Sequence, residues 1–161
     1  MTSTRELIDT RLSVLVGLDV SSLNHAADML TLQFGPLRET VTRKDTMKRV
    51  GEWALHVQCR WQIKQLGAVV ATQDDLYGPD EKARLATQRL EDLLVSSRLT
   101  TVESLAGSES GALCISLSAG LQLVITPEGM PNNEDWRFFA PGADANHFVI
   151  EGGAVDPYSL I

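Results

Sequence analysis

The sequence predicts a mostly β fold of the α+β class: two repeated antiparallel β units joined by one helix, packed as a sandwich or as one continuous sheet. Three observations lead there. An eleven-residue segment from Trp53 to Ile63 alternates apolar and polar residues, one segment from Gly78 to Ser97 has helical periodicity, and a set of residues recurs in the same order in both halves of the chain.

Ser3 and Glu6 stand at capping-box spacing, which predicts a short helical segment over 3–10. Leu12 to Val20 is apolar and β-branched and reads as a strand. Met29, Leu30, Leu32 and Phe34 predict another, ended by the Gly35-Pro36 turn. Leu37 to Thr42 predicts its return strand. In the long segment Trp53, Leu55, Val57, Cys59, Trp61 and Ile63 hold every second position, so one set faces a core and the other faces away. Its length exceeds that of an ordinary strand and predicts a bend or bulge within it. Leu66 to Thr72 follows as a further strand.

Gly78-Pro79-Asp80-Glu81 then opens the helix, with proline suited to the first turn and the acids suited to its positive end. Ala83, Ala86, Leu90, Leu93 and Leu94 give it one apolar face. Strand signals resume at Leu99–Leu105, Ala112–Leu117, Leu121–Thr126, Trp136–Phe139 and His147–Ile150, punctuated by Gly, Pro and Asn. The apolar end, Leu160 and Ile161, is expected to dock on the fold.

The repeat is read from order and spacing. MLTLQFG begins at Met29 and ALCISLSAG at Ala112, and each stands 24 residues before a tryptophan, Trp53 and Trp136. An acid precedes each tryptophan, Glu52 and Asp135. Gln73–Tyr77 parallels Ala154–Tyr158, and Leu18-Asp19-Val20 parallels Thr100-Thr101-Val102. The chain therefore reads as one domain over 1–161, with a first β unit at 11–77, a linking helix at 78–97 and a second β unit at 98–161.

A formal net charge of −7 argues against nucleic-acid and anionic-membrane partners, which need clustered Lys and Arg. It fits a soluble protein, or one that meets a basic protein partner such as a toxin by electrostatic steering. Arg38, Arg43, Lys44, Lys48 and Arg49 form a local basic run, expected in a solvated loop. Cys59 and Cys114 sit apart among apolar residues with no Cys/His cluster, so neither a metal nor another cofactor is indicated. The first residues lack a signal-peptide pattern and no stretch is apolar enough to span a membrane. A cytoplasmic location is the expectation.

The Gly-Leu-Asp-Val strand, the Met-Leu-Thr-Leu-Gln-Phe-Gly hairpin and the Trp-Ala-Leu-His-Val-Gln-Cys-Arg-Trp-Gln-Ile segment together resemble a group of small bacterial proteins of unknown function. Those proteins share a strand, hairpin and W-x-L-x-x-x-C-x-W-x-I layout. The resemblance covers mainly residues 14–77. It implies a structural motif and no site residues. Some members are thought to neutralise toxins of competing bacteria, so the resemblance implies an immunity protein.

No G-x-S-x-G elbow, zinc motif, calcium loop or phosphate loop is present. Asp74, Asp75 and Tyr77 form the best polar cluster, but neighbouring carboxylates before Gly78-Pro79 suit a turn and a helix cap. Trp136-Arg137-Phe138-Phe139 breaks alternation, so one of its two phenylalanines must leave the core or make a second contact. That segment is the expected partner surface. The leading expectation is a non-enzymatic protein-binding domain. The rival is a small hydrolase or ligand-binding β domain, with Asp74, Asp75, Tyr77 and His147 converging in a pocket between the halves. A homodimer with sheets extended across a two-fold axis is a third.

Overall fold

Alternating apolar residues need a second surface to face, and this chain supplies it by building two antiparallel sheets around one shared core. The computed structural model describes residues 2–41 and 43–160. The first unit runs α1 (Thr4–Leu12), β1 (Val20–Ala26), β2 (Met29–Phe34), β3 (Arg38–Val41), β4 (Met47–Val50), β5 (Trp53–Val57), β6 (Arg60–Gln65) and β7 (Ala68–Thr72). After α2 (Asp80–Glu91), the second runs β8 (Val102–Gly107), β9 (Leu113–Leu117), β10 (Leu121–Thr126), β11 (Glu134–Phe139), β12 (Phe148–Glu151) and β13 (Ala154–Val155).

The first sheet has the order β1-β2-β5-β11-β12-β13 and the second the order β8-β9-β10-β6-β7. Each sheet thus takes three strands from one unit and completes itself with strands from the other. The two units are related strand by strand, and they exchange their C-terminal parts. The exchange happens inside the segment that the sequence suggests is one long strand. β5 ends at Val57, β6 begins at Arg60, and only Gln58 and Cys59 lie between. A straight eleven-residue strand would overrun its sheet. Crossing keeps Leu55 and Val57 in the core from one side and Trp61 and Ile63 from the other.

At the other end of the sheets the units meet directly. Val20 N donates to Thr100 O at 2.8 Å and Val102 N to Leu18 O at 2.9 Å. Between these bonds the Thr101 hydroxyl donates to the Asp19 carboxyl at 2.6 Å. Leu18-Asp19-Val20 and Thr100-Thr101-Val102 are therefore partners as well as repeats. The tryptophan correspondence differs from the sequence reading. Trp61 lies opposite Ile125 in one sheet and Trp136 opposite Val57 in the other, so the counterpart of Trp136 is Trp61 and not Trp53. The reason is an insertion: the separate β3-β4 ribbon, which contains the basic run, interrupts the first unit between its second and third shared strands.

Each helix packs on the first strand of the opposite unit, α1 on β8 and α2 on β1. Ser3 caps α1 by accepting from Glu6 N at 3.2 Å. Ile8, Leu12 and Leu15 follow at helical spacing and are fully buried, which continues the helix and a 3-10 turn (Ser13–Leu15) through residues expected as a strand. The strand starts only at Val20. α2 buries Ala83, Ala86, Thr87 and Leu90 and continues as a π turn, Asp92–Ser96, in line with the expected end near Ser96. The C-terminal end docks through a polar residue: Ser159 is buried and its hydroxyl accepts from Val149 N at 2.9 Å, while Leu160 is exposed. Ile161, and Thr42 at the end of the expected return strand, lie outside the described residues.

α1 approaches β8 at Gly107. A Cβ there would stand 2.6 Å from the Ile8 Cγ2, closer than real contacts allow. Gly107→Ala should therefore destabilise the fold by about 1–3 kcal/mol, the cost of overpacking. In an Ile8→Ala background the same change should cost measurably less, and denaturant melts of the four-member cycle read that coupling. Strictly additive effects would refute this account of the contact.

Candidate functional site

Within β11, Trp136 and Phe138 point into the core while Arg137 and Phe139 point outward. The buried Trp136 indole donates to Gly111 O at 2.9 Å. Gly111 itself has φ +84°, and a Cβ would lie 2.6 Å from Gly153 O, so only glycine fits this anchor. Phe138 is buried and stacks on Trp53, with ring centroids 4.9 Å apart and planes 13° from parallel. The two adjacent phenylalanines thus divide between a core contact and an outer-face contact, as the broken alternation requires.

On the outer face Phe139 stacks on the His147 ring at 4.1 Å and meets the edge of His56 at 4.9 Å. Arg137 Nε donates to Glu134 at 2.9 Å, and a second guanidinium nitrogen also bonds that carboxylate. Arg137 Nη1 lies 3.0 Å from His147 Nδ1. Guanidinium nitrogens only donate, so Nδ1 accepts and His147 is neutral with its proton on Nε2. Gln58 donates to the same glutamate at 2.7 Å. The cluster draws on β5, β11 and the loop before β12.

A groove of about 430 Å³ opens at the end of this sheet. Trp53, Phe138 and Phe148 line it, Arg11 and Val14 come from the end of α1 and the turn after it, and residues 140–146 form the far side. Arg11 lies over the Phe148 ring, 5.4 Å from its centroid, and donates to Ser159 O at 2.9 Å. The loop is tied to the β3-β4 ribbon by a hydrogen bond from Arg38 to Pro141 O. Insertions from the two units therefore meet beside the groove.

The internal repeat gives this region a control. By the paired registers, Trp53 and Phe138 correspond to Leu121 and Ile63 in the second sheet. Those two are buried to within 1% exposure, whereas Trp53 is only partly buried. His56, Arg137 and Phe139 likewise correspond to Val124, Gln62 and Lys64. The aromatic and ionic cluster belongs to one sheet alone.

The other candidates take structural places. Asp75 accepts from Thr72 N at 2.9 Å and the Thr72 hydroxyl accepts from Asp74 N at 3.3 Å, a capping box on the 3-10 turn Gln73–Leu76. The Tyr77 hydroxyl accepts from Gln73 at 3.2 Å. These groups follow β7 of the second sheet, whereas His147 is held by Arg137 and Phe139 on the outer face of the first. The aspartates are thus engaged in shaping a turn, and the contacts that hold His147 come from a different set of residues.

A polar depression of about 270 Å³ lies at Gln58, Glu128, Asn133 and Glu134, beside the buried Asp135. Asp135 side-chain oxygens accept from Glu128 N at 3.1 Å and Gly153 N at 2.9 Å. Its backbone carbonyl accepts from Gln58 N and Cys59 N at 2.8 and 3.1 Å. Sequence reasoning saw Asp135 only as an acid before a tryptophan. Burial, and next the charge of Asp135, push the Cys59 thiol up to about 12, which holds it protonated and unreactive. Among the described residues no group of three His, Cys, Asp or Glu side chains is placed to hold a metal ion. None of their helices is long and apolar enough to cross a membrane. No family model, curated protein or solved structure matches the chain.

Both cluster histidines are held below the ordinary imidazole range, first by burial and second by the Arg137 charge. A histidine with a lowered folded pKa binds its proton more readily in the unfolded chain, so stability falls as pH drops from about 6.5 toward the folded value. The thermal midpoint should therefore decline between about pH 7.5 and 5.5, above the range where carboxylates titrate. His147→Asn keeps an acceptor near Nδ1 but cannot titrate, so its midpoint should decline less over that window. Equal slopes in the two proteins would exclude His147 as a source of the effect.

Proposed function

We propose that the chain is a non-enzymatic protein-binding domain whose partner docks on the aromatic groove of the first sheet. The observation that carries this reading is Trp53, left partly uncovered while its ring is fixed against buried Phe138. A pre-stacked aromatic loses little conformational freedom on contact, and such residues dominate the energetics of protein interfaces. The groove's lack of a counterpart in the otherwise repeated second sheet supports the same reading. In its sharper form, the domain is an immunity protein that neutralises a bacterial toxin by covering it, with the groove as the contact and its apolar and aromatic lining as the main source of affinity.

A second reading has one observation in its favour. The groove volume, about 430 Å³, lies in the range of small-molecule sites, so an apolar ligand is the alternative occupant. A pull-down with the product of the neighbouring gene separates the two. We expect retention of a protein at micromolar concentration and moderate salt. Val14→Glu, at a position 45% exposed in the groove wall, should weaken it about tenfold or more without lowering the melting temperature. Retention untouched by Val14→Glu would remove the groove from the interface, and no retained protein would leave the small-molecule reading.

A further inference from the structure

β7 is the outer strand of the second sheet, and among the described strands it is the longest left without a cover. α1 packs on β8, α2 packs on β1, and β13 at the far edge of the first sheet spans two residues. Leu66, Val69 and Val70, at the turn into β7 and along it, are 84%, 50% and 43% exposed. From Gln65 to Gln73 the chain has no charged residue and no proline, two of the devices by which edge strands usually avoid pairing, although its register against β6 shifts between Ile63 and Lys64. The repeat shows what such an edge accepts. β12, the counterpart of β7, is itself paired by β13, whereas after β7 the chain turns away into the 3-10 turn.

We propose that β7 pairs antiparallel with β7 of a second copy, joining two five-stranded sheets into one across a two-fold axis. Charge selects this occupant and this direction. Two copies each with net charge −7 repel wherever acidic surfaces meet, and the neutral β7 seam avoids that contact. Antiparallel pairing sets the Lys64 end of one copy beside Asp74 and Asp75 of the other, while parallel pairing would set like beside like. A two-fold axis also makes the contact self-complementary, so it closes as a dimer and does not propagate.

The contact is independent of the groove, so the two readings fail separately. Sedimentation velocity over about 5 to 500 µM should show the wild-type chain passing to a particle of twice its mass, and Val14→Glu should behave as wild type. The double change Val69→Lys and Val70→Lys, both at exposed positions, should weaken the dimer at least about tenfold, the effect of placing like charges opposite one another. Hydrogen exchange of the wild-type chain gives a readout that does not depend on how the variant folds: amides of Ala68–Thr72 should gain protection with concentration while those of β13 do not. A monomer at every concentration, a dimer indifferent to the lysines, or concentration-independent exchange in β7 would each overturn the proposal.

Discussion

The constraint on which this fold depends is the point where both chain crossings meet, and Asp135 occupies it. Its carbonyl holds the N–H groups of Gln58 and Cys59, the two residues that carry the first unit from one sheet into the other. Its side chain holds Glu128 N in the second unit's crossing and Gly153 N in the turn from β12 to β13. A crossing is where backbone donors lose their strand partners, and a buried donor without one costs about 1–3 kcal/mol. One short acid at the start of β11 accepts from three backbone donors at the crossings and from one in the β12–β13 turn. Packing alone would bring the sheets together, but it would leave these groups unpaired.

Exchange between the units has a consequence for where function can be sought. Because every shared strand has a counterpart, the two sheets report what the core requires, and the differences between them mark what the core does not require. Leu121 and Ile63 show that aliphatic residues fill the Trp53 and Phe138 positions and close them to solvent. Aromatic rings at those positions of the first sheet are therefore unnecessary for packing. The ribbon of the first unit and the 140–147 loop of the second, the two parts that depart furthest from the repeat, are tied together at the same groove through Arg38 and Pro141. Symmetry is kept where the core forms and broken where a surface is presented.

Strand content and the hairpin repeat were legible because alternation survives in both copies: Leu30, Leu32 and Phe34 match Leu113, Ile115 and Leu117 in burial as well as spacing. The Asp19–Thr101 equivalence was legible for the same reason. The tryptophan pairing is hidden in the sequence because equal spacing to Trp53 and Trp136 arises from unequal insertions, the ribbon in one unit and the 127–133 turn in the other. Apolar periodicity could not reveal the crossing at Gln58-Cys59 either, since both halves of the segment remain inward-facing. For the site, adjacent Phe138 and Phe139 announced a divided role, whereas the stack of Phe139 on His147 and the reach of Arg137 join segments that only the fold brings together. Asp135 gave no signal, because a buried acid satisfied by backbone amides looks like any other acid in a sequence.

The distribution of ionisable groups bears on the kind of chemistry this surface supports. Bond-making needs a group whose proton or lone pair is available to a substrate. Here Glu134 is shared by Arg137 and Gln58, His147 Nδ1 is taken by Arg137, Asp75 caps a turn, and Cys59 is kept protonated by its surroundings. The charges on the outer face mostly satisfy one another and fix the orientation of the rings they touch. What they leave presented is aromatic and aliphatic area of defined shape, with Arg11 at its margin. Such an arrangement favours recognition by area and shape, with ionic groups as the frame, and it supports a contact surface more strongly than a reacting one.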